Sequence, residues 1–150
     1  MNSQPENNFQ FEKLLVALVR NGVDFAVVGG IAISMNGYVR ATEDADILIN
    51  NAPENLRKLL VCLEQWGEDF AVQEGSIRLI EDFILDMFTR MRGKSLDDFR
   101  PRLRYLEASG VRVPYLAPED LIFLKQDSWR DKDKLDVQAM REIVAREKQA

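Results

Sequence analysis

Asp44, Asp46 and Asp86 are the residues of this chain best suited to chemistry. The stretch Thr42-Glu43-Asp44-Ala45-Asp46-Ile47-Leu48-Ile49 alternates as a strand does, with Asp44 and Asp46 on one face and Ala45, Ile47 and Ile49 toward a core. Two like charges on one strand face repel, and a divalent cation removes that objection. Mg²⁺ takes one or two protein carboxylates and completes its octahedron with water and substrate phosphates. For this pair alone, a solvated strand edge is the plainer reading. Asp86 shifts the balance, because it stands in Phe83-Ile84-Leu85-Asp86-Met87-Phe88. A carboxylate there is costly to bury unless paired or bound to metal, and an exposed face would bring Ile84 and Phe88 into water with it. Three carboxylates on two strands can hold two metal ions, and one of them can take a proton from an attacking hydroxyl. The chain has no histidine, so imidazole acid–base chemistry, His-based triads and zinc–His sites are excluded.

Phosphate contacts have their own candidates. Val27-Val28-Gly29-Gly30-Ile31-Ala32 has the form strand, glycine turn, helix. Glycine permits positive φ and close approach of the backbone to a ligand, and the helix start beyond it offers N–H groups to phosphate. The Gly-Lys-Ser/Thr ending of a Walker A loop is missing. Arg40 and Thr42 precede the aspartate strand, where a guanidinium neutralises phosphate. Lys125 is read as the C-terminal cation that reaches a phosphate. Arg102 and Arg104 are predicted to share a strand face, pointing to an anionic substrate or an RNA end, with Phe99 and Tyr105 available for base stacking. A solvated hairpin face fits the same residues. Lys132 and Asp136 are spaced to pair across a helix turn. Asp133 and Asp136 read as a structural charge network holding C-terminal helices to a sheet. Phe9, Trp66 and Trp129 read as core or groove residues, and Cys62 as packing.

The elements that must position these groups follow from periodicity. Phe11, Leu14, Leu15 and Leu18 predict a helix that stops at Gly22. Phe25–Val28 predicts a central strand, 31–36 a short helix, 44–49 a strand, and 53–65 a helix opened by Pro53. Residues 70–72 and 77–80 are weaker strand candidates, and 83–88 a stronger one. Residues 105–108 and 111–115 flank Ser109-Gly110 as a hairpin. A helix from Pro118 to Lys125 and another running to about Glu147 break near Trp129. The class is α/β (α+β), a single mixed β-sheet flanked by helices.

With 150 residues, 46% of them hydrophobic and 30% charged, the chain has the size and composition of one domain, 1–150, whose residues 1–8 are expected to be disordered. Its net charge of −5 argues against a protein that coats DNA. The single Cys62 cannot form an internal bridge, and no apolar run is long enough to span a membrane, so the expected location is cytoplasmic.

Taken in order, Gly29-Gly30, Arg40-x-Thr42-x-Asp44-x-Asp46 and the later Asp86 resemble the nucleotidyltransferase superfamily built on the polymerase-β fold. Within it, the sequence is most similar to small bacterial members, including toxin-type (AbiEii-like) and antibiotic-modifying nucleotidyltransferases. Leu121-Ile122-x-Leu124-Lys125 and Arg130-x-Lys132-Asp133-x-x-Asp136 extend the likeness, which covers about Phe25 to Met140. The resemblance implies a polymerase-β-like fold with C-terminal helices and Mg²⁺- or Mn²⁺-dependent transfer of an NMP from an NTP to a hydroxyl acceptor. That acceptor would be a protein, a tRNA 3′ end or a small molecule. By the same likeness Gly29, Gly30 and Ser34 hold the triphosphate, Asp44 and Asp46 ligate metal, and Asp86 is third ligand and general base. A toxin-type member would also have a cognate partner protein. The chain departs from the pattern at Gly30, where many members carry Ser. The alternative is a catalytically silent nucleotide-binding or antitoxin-like module of the same fold; retention of all three carboxylates argues for activity.

Overall fold

The computed structural model describes residues 4–42, 44–66, 70–73, 76–79 and 83–150. In chain order its elements are α1 (Gln4–Arg20), β1 (Phe25–Val28), α2 (Gly29–Met35), β2 (Asp44–Ile49), α3 (Pro53–Trp66), β3 (Phe70–Gln73) and β4 (Ser76–Leu79). These are followed by β5 (Phe83–Phe88), α4 (Leu96–Phe99), β6 (Arg104–Ala108), β7 (Val111–Tyr115), α5 (Pro118–Lys125) and α6 (Asp131–Gln149). The strands form one mixed sheet in the order β3-β4-β5-β2-β1-β7-β6.

At its centre, β1 runs antiparallel to β2 and parallel to β7, while β2 and β5 are parallel. All four β1 residues are buried, as a short continuous apolar run between covered faces requires. α1 packs on β7 and α3, α2 on β1, β2 and α5, and α6 on α5. The core draws Leu14 and Leu18 from α1, Phe25–Val28 from β1, Ile47–Ile49 from β2 and Leu85 from β5. Each such aliphatic side chain contributes about 1.5–3 kcal/mol when fully buried.

The Ser109-Gly110 turn has both residues at positive φ (50° and 79°), the conformation a two-residue hairpin needs to match strand twist. α2 starts at Gly29 itself, earlier than Ile31, and Gly37 (φ 115°) follows its end. α1 starts at Gln4, earlier than Phe11, and the rest of the expected loose start lies outside the described residues, as do Gly67 and Ile80. So do the side chains of Phe9 and Trp66.

Three expectations are corrected here. Phe99 is 2% exposed, a core residue at the end of α4 and unable to stack on a base. Arg102 closes a 3₁₀ turn (Arg100–Arg102), so it shares no strand face with Arg104. Trp129, in the loop between α5 and α6, is 84% exposed and so is not a core residue.

Candidate active site

β2 and β5 bring the carboxylates together through register. Asp46 pairs with Asp86 directly across the parallel ladder, and Asp44 lies level with Ile84. Since β1 runs antiparallel to β2, Val28 lies opposite Asp46, and the chain turns into α2 at the next residue, beside the aspartates. The result is a pocket of about 470 Å³ walled by Gly29, Gly30 and Thr42 on one side and by Asp44, Asp46 and Asp86 on the sheet. Lys125 of α5 and Arg130, Lys132 and Asp133 at the start of α6 complete it.

The glycines are explained by this crowding. Gly29 has φ +65°, and a Cβ there would overlap the Asp46 carboxylate. A Cβ on Gly30 would come within 3.1 Å of the Arg40 guanidinium and of Thr42 Oγ1. The close approach read from the sequence is therefore to the chain's own site residues. Thr42 Oγ1 donates to the Asp44 carbonyl (3.1 Å) and so braces the entry to β2.

Burial, followed by the charges of Asp86 and Asp44 and a hydrogen bond with Asp86, pushes the Asp46 carboxyl up to about 6; Lys125 pulls the other way. Such a pair of hard oxygen donors, crowded enough to retain a proton, is the chemistry that suits a divalent cation. Among the described residues, however, no three acidic, histidine or cysteine side chains stand as a ready metal-ligand set. Mg²⁺ needs only one or two protein carboxylates when phosphates supply the rest, so Asp46 and Asp86, with Asp44 beside them, fit the ion.

A second set of contacts lies behind the cations. Asp136, 0% exposed on α6, accepts from Arg40 Nε (2.8 Å) and Nη2 (2.7 Å) and from Lys125 Nζ (2.7 Å). Lys125 also reaches Asp133 (3.1 Å), whose other oxygen accepts from Ser128 Oγ (2.8 Å). Burial raises the Asp133 carboxyl, but the hydrogen bonds from Ser128 and Lys125 outweigh it and hold the group below its ordinary range. Asp136 thus takes Arg40 and Lys125 as partners in place of the predicted Lys132, because Arg40 arrives from the loop before β2 and its planar fork matches the carboxylate. The network reading of Asp133 and Asp136 holds. Sequence spacing alone could not disclose that the pocket cations Arg40 and Lys125 converge on Asp136, since Arg40 lies 96 positions away.

Ser34 is not brought to the pocket. It lines a separate groove with Phe11, Leu15 and Val113, and its buried Oγ makes no hydrogen bond among the described residues. Five arginines between Arg92 and Arg112 are likewise committed within the chain. Arg92 pairs with Asp127, Arg100 with Asp24 and Asp97, Arg102 with Asp120 and Arg104 with Glu147, while Arg112 lies over the Tyr105 ring. Arg130, to which the sequence assigns no role in the site, and Lys132, spaced there to pair with Asp136, both line the pocket.

The architecture has counterparts among solved structures. LnuA, a lincosamide antibiotic adenylyltransferase solved with lincomycin, has 14% identity and a TM-score of 0.66, covering 92% of this chain and 96% of that one. ANT(2″)-Ia, solved with adenylyl-2″-tobramycin, has 16% identity and a TM-score of 0.64, covering 93% and 90%. An antigenic nucleotidyltransferase-like protein from Paracoccidioides brasiliensis has 20% identity and a TM-score of 0.56, covering 86% and 72%. At these identities the likeness is one of fold, and the fold is that of nucleotidyltransferases. In sequence, residues 10–146 match the family described as nucleotidyltransferase of unknown function (DUF6036), and the chain belongs to that family. No curated protein matches the chain in sequence. Among the described residues no helix is long and apolar enough to cross a membrane.

Proposed function

We propose that this nucleotidyltransferase moves a nucleoside monophosphate from an NTP to an acceptor hydroxyl, with Asp86 as general base. The observation that carries the reading is the register pairing of Asp46 with Asp86 beside Gly29 and Gly30, facing Lys125, Arg130 and Lys132 across one pocket. The acceptor oxygen forms a bond to the α-phosphorus, the bond from that phosphorus to the bridging oxygen breaks, and pyrophosphate leaves. The hydroxyl proton passes to Asp86. Lys125 and Arg40, held by Asp136, direct positive charge toward the triphosphate, and Arg130 and Lys132 add more at the pocket wall. A Mg²⁺ or Mn²⁺ ion would be held by Asp46 and Asp86, with Asp44 beside them, and when bound would neutralise phosphate charge and stabilise the leaving pyrophosphate.

The two antibiotic enzymes of like fold support a small hydroxylated acceptor, and the resemblance to toxin-type members supports a protein or tRNA 3′ end with a cognate partner protein. The test is to incubate the protein with Mg²⁺, α-labelled NTPs and cell extract, and to identify what carries the label. Label on an acceptor that requires Asp86 supports the transferase. Calorimetric heat for Mg·ATP with no transfer to any acceptor supports the silent nucleotide-binding module instead.

A further inference from the structure

Resting on the nucleotide reading above, we infer that Trp129 is the platform on which the nucleobase of the NTP stacks. Among the described residues, the pocket wall consists of glycines, Ala41, Thr42, carboxylates and cations, with no aromatic and no large apolar side chain. It provides for a triphosphate and its counter-ions, and offers no face to a base. Trp129 adjoins Arg130, which lines the pocket, and is 84% exposed, whereas tryptophan is among the more buried residue types on average. Its loop is held in place: Ser128 Oγ donates to pocket residue Asp133 (2.8 Å) and accepts from the Arg130 N–H (3.2 Å). The indole is thus exposed on a braced turn, next in sequence to one of the cations that would draw the phosphates.

Other exposed apolar side chains near the wall serve less well. Val39, beside Arg40, and Leu135, beside Asp136, are aliphatic. Tyr105 already has the Arg112 guanidinium over its ring and belongs to β6 at the sheet edge. Phe88, 38% exposed, shares the Asp86 face of β5 two residues beyond it and lies level with Leu48, on the side of the general base away from Gly29.

Calorimetry with Mg·ATP and with Mg·tripolyphosphate, which lacks a base, separates these roles, alongside the emission of wild-type protein minus that of Trp129→Phe. ATP should quench the Trp129 component and tripolyphosphate should leave it unchanged. Trp129→Ala should weaken ATP binding roughly 5- to 150-fold, the range for one stacked base, and leave tripolyphosphate affinity unaltered. Trp129→Phe should retain most of the ATP affinity, and Phe88→Ala all of it. ATP affinity unchanged in Trp129→Ala, or lost in Phe88→Ala alone, overturns the inference. Absence of ATP binding to the wild type overturns the nucleotide reading with it, whereas ATP binding beside a silent Trp129 overturns this inference alone.

Discussion

Asp86 and Asp46 face each other in register, yet the reaction asks different things of them. The Asp46 carboxyl is raised by burial and by its two acidic neighbours, Asp86 and Asp44. Asp86 is the one assigned to take the acceptor proton. Asp86→Asn retains the shape of the side chain and loses the basic oxygen. Calorimetry should therefore still register Mg·ATP, more weakly for the loss of one ligand charge, while single-turnover transfer falls by at least ~10²-fold, the lower end of general-base contributions. Transfer at the wild-type rate by a folded, ATP-binding Asn variant would remove Asp86 from the chemistry.

At the scale of elements, α6 acts as a tether as well as a cover. Its Asp136 is wholly buried and holds Arg40, from the loop before β2, and Lys125, from the end of α5. Removing one partner of a buried ion pair leaves the others uncompensated, which typically costs 3–5 kcal/mol. Asp136→Asn retains some hydrogen bonding, so a loss of about 2–4 kcal/mol in urea unfolding is expected. The surviving folded fraction should show a raised KM for NTP, because Lys125 and Arg40 lose their common anchor. Unchanged stability together with unchanged KM would reduce Asp136 to a bystander.

For the molecule as a whole, the site is held together against electrostatic resistance, and pH should reveal it. The Asp46 carboxyl stands at about 6 in the fold against an ordinary 3.8, so its contribution to stability is fully present at low pH and is lost as pH rises through the interval from about 4 to about 6. At neutral pH the wild type therefore forgoes about 3 kcal/mol that Asp46→Asn recovers. Asp24 and Asp133 are shifted the opposite way, lowered by Arg100 and by Ser128 and Lys125, so their contributions decline only below that interval. Urea midpoints measured at pH 5 and pH 7.5 in EDTA should fall with pH for wild type and stay nearly level for Asp46→Asn. Adding Mg²⁺ at pH 7.5 should restore the wild type and do little for the variant. Equal pH dependence in the two proteins would show that the carboxylates do not repel as described.

Local chemistry determined a good part of this protein in advance. The all-apolar Phe25–Val28 had to be a central strand, Ser109-Gly110 had to be a hairpin turn, and alternation around Asp44 and Asp46 had to put both on one face. Each follows from neighbours within a few residues, which is all that backbone sterics and side-chain period sense. The tertiary structure decided what distance along the chain conceals. It set Asp46 against Asp86 by strand register, made Gly29 yield its Cβ space to Asp46, and drew Arg40 to Asp136 across 96 positions. It also placed Ser34 in another groove, and it left Trp129 in solvent. Folding also delivered Asp127, Asp24, Asp120 and Glu147 to meet Arg92, Arg100, Arg102 and Arg104. Pairing of that kind depends on which surfaces the sheet and helices bring into contact, and no local pattern encodes it.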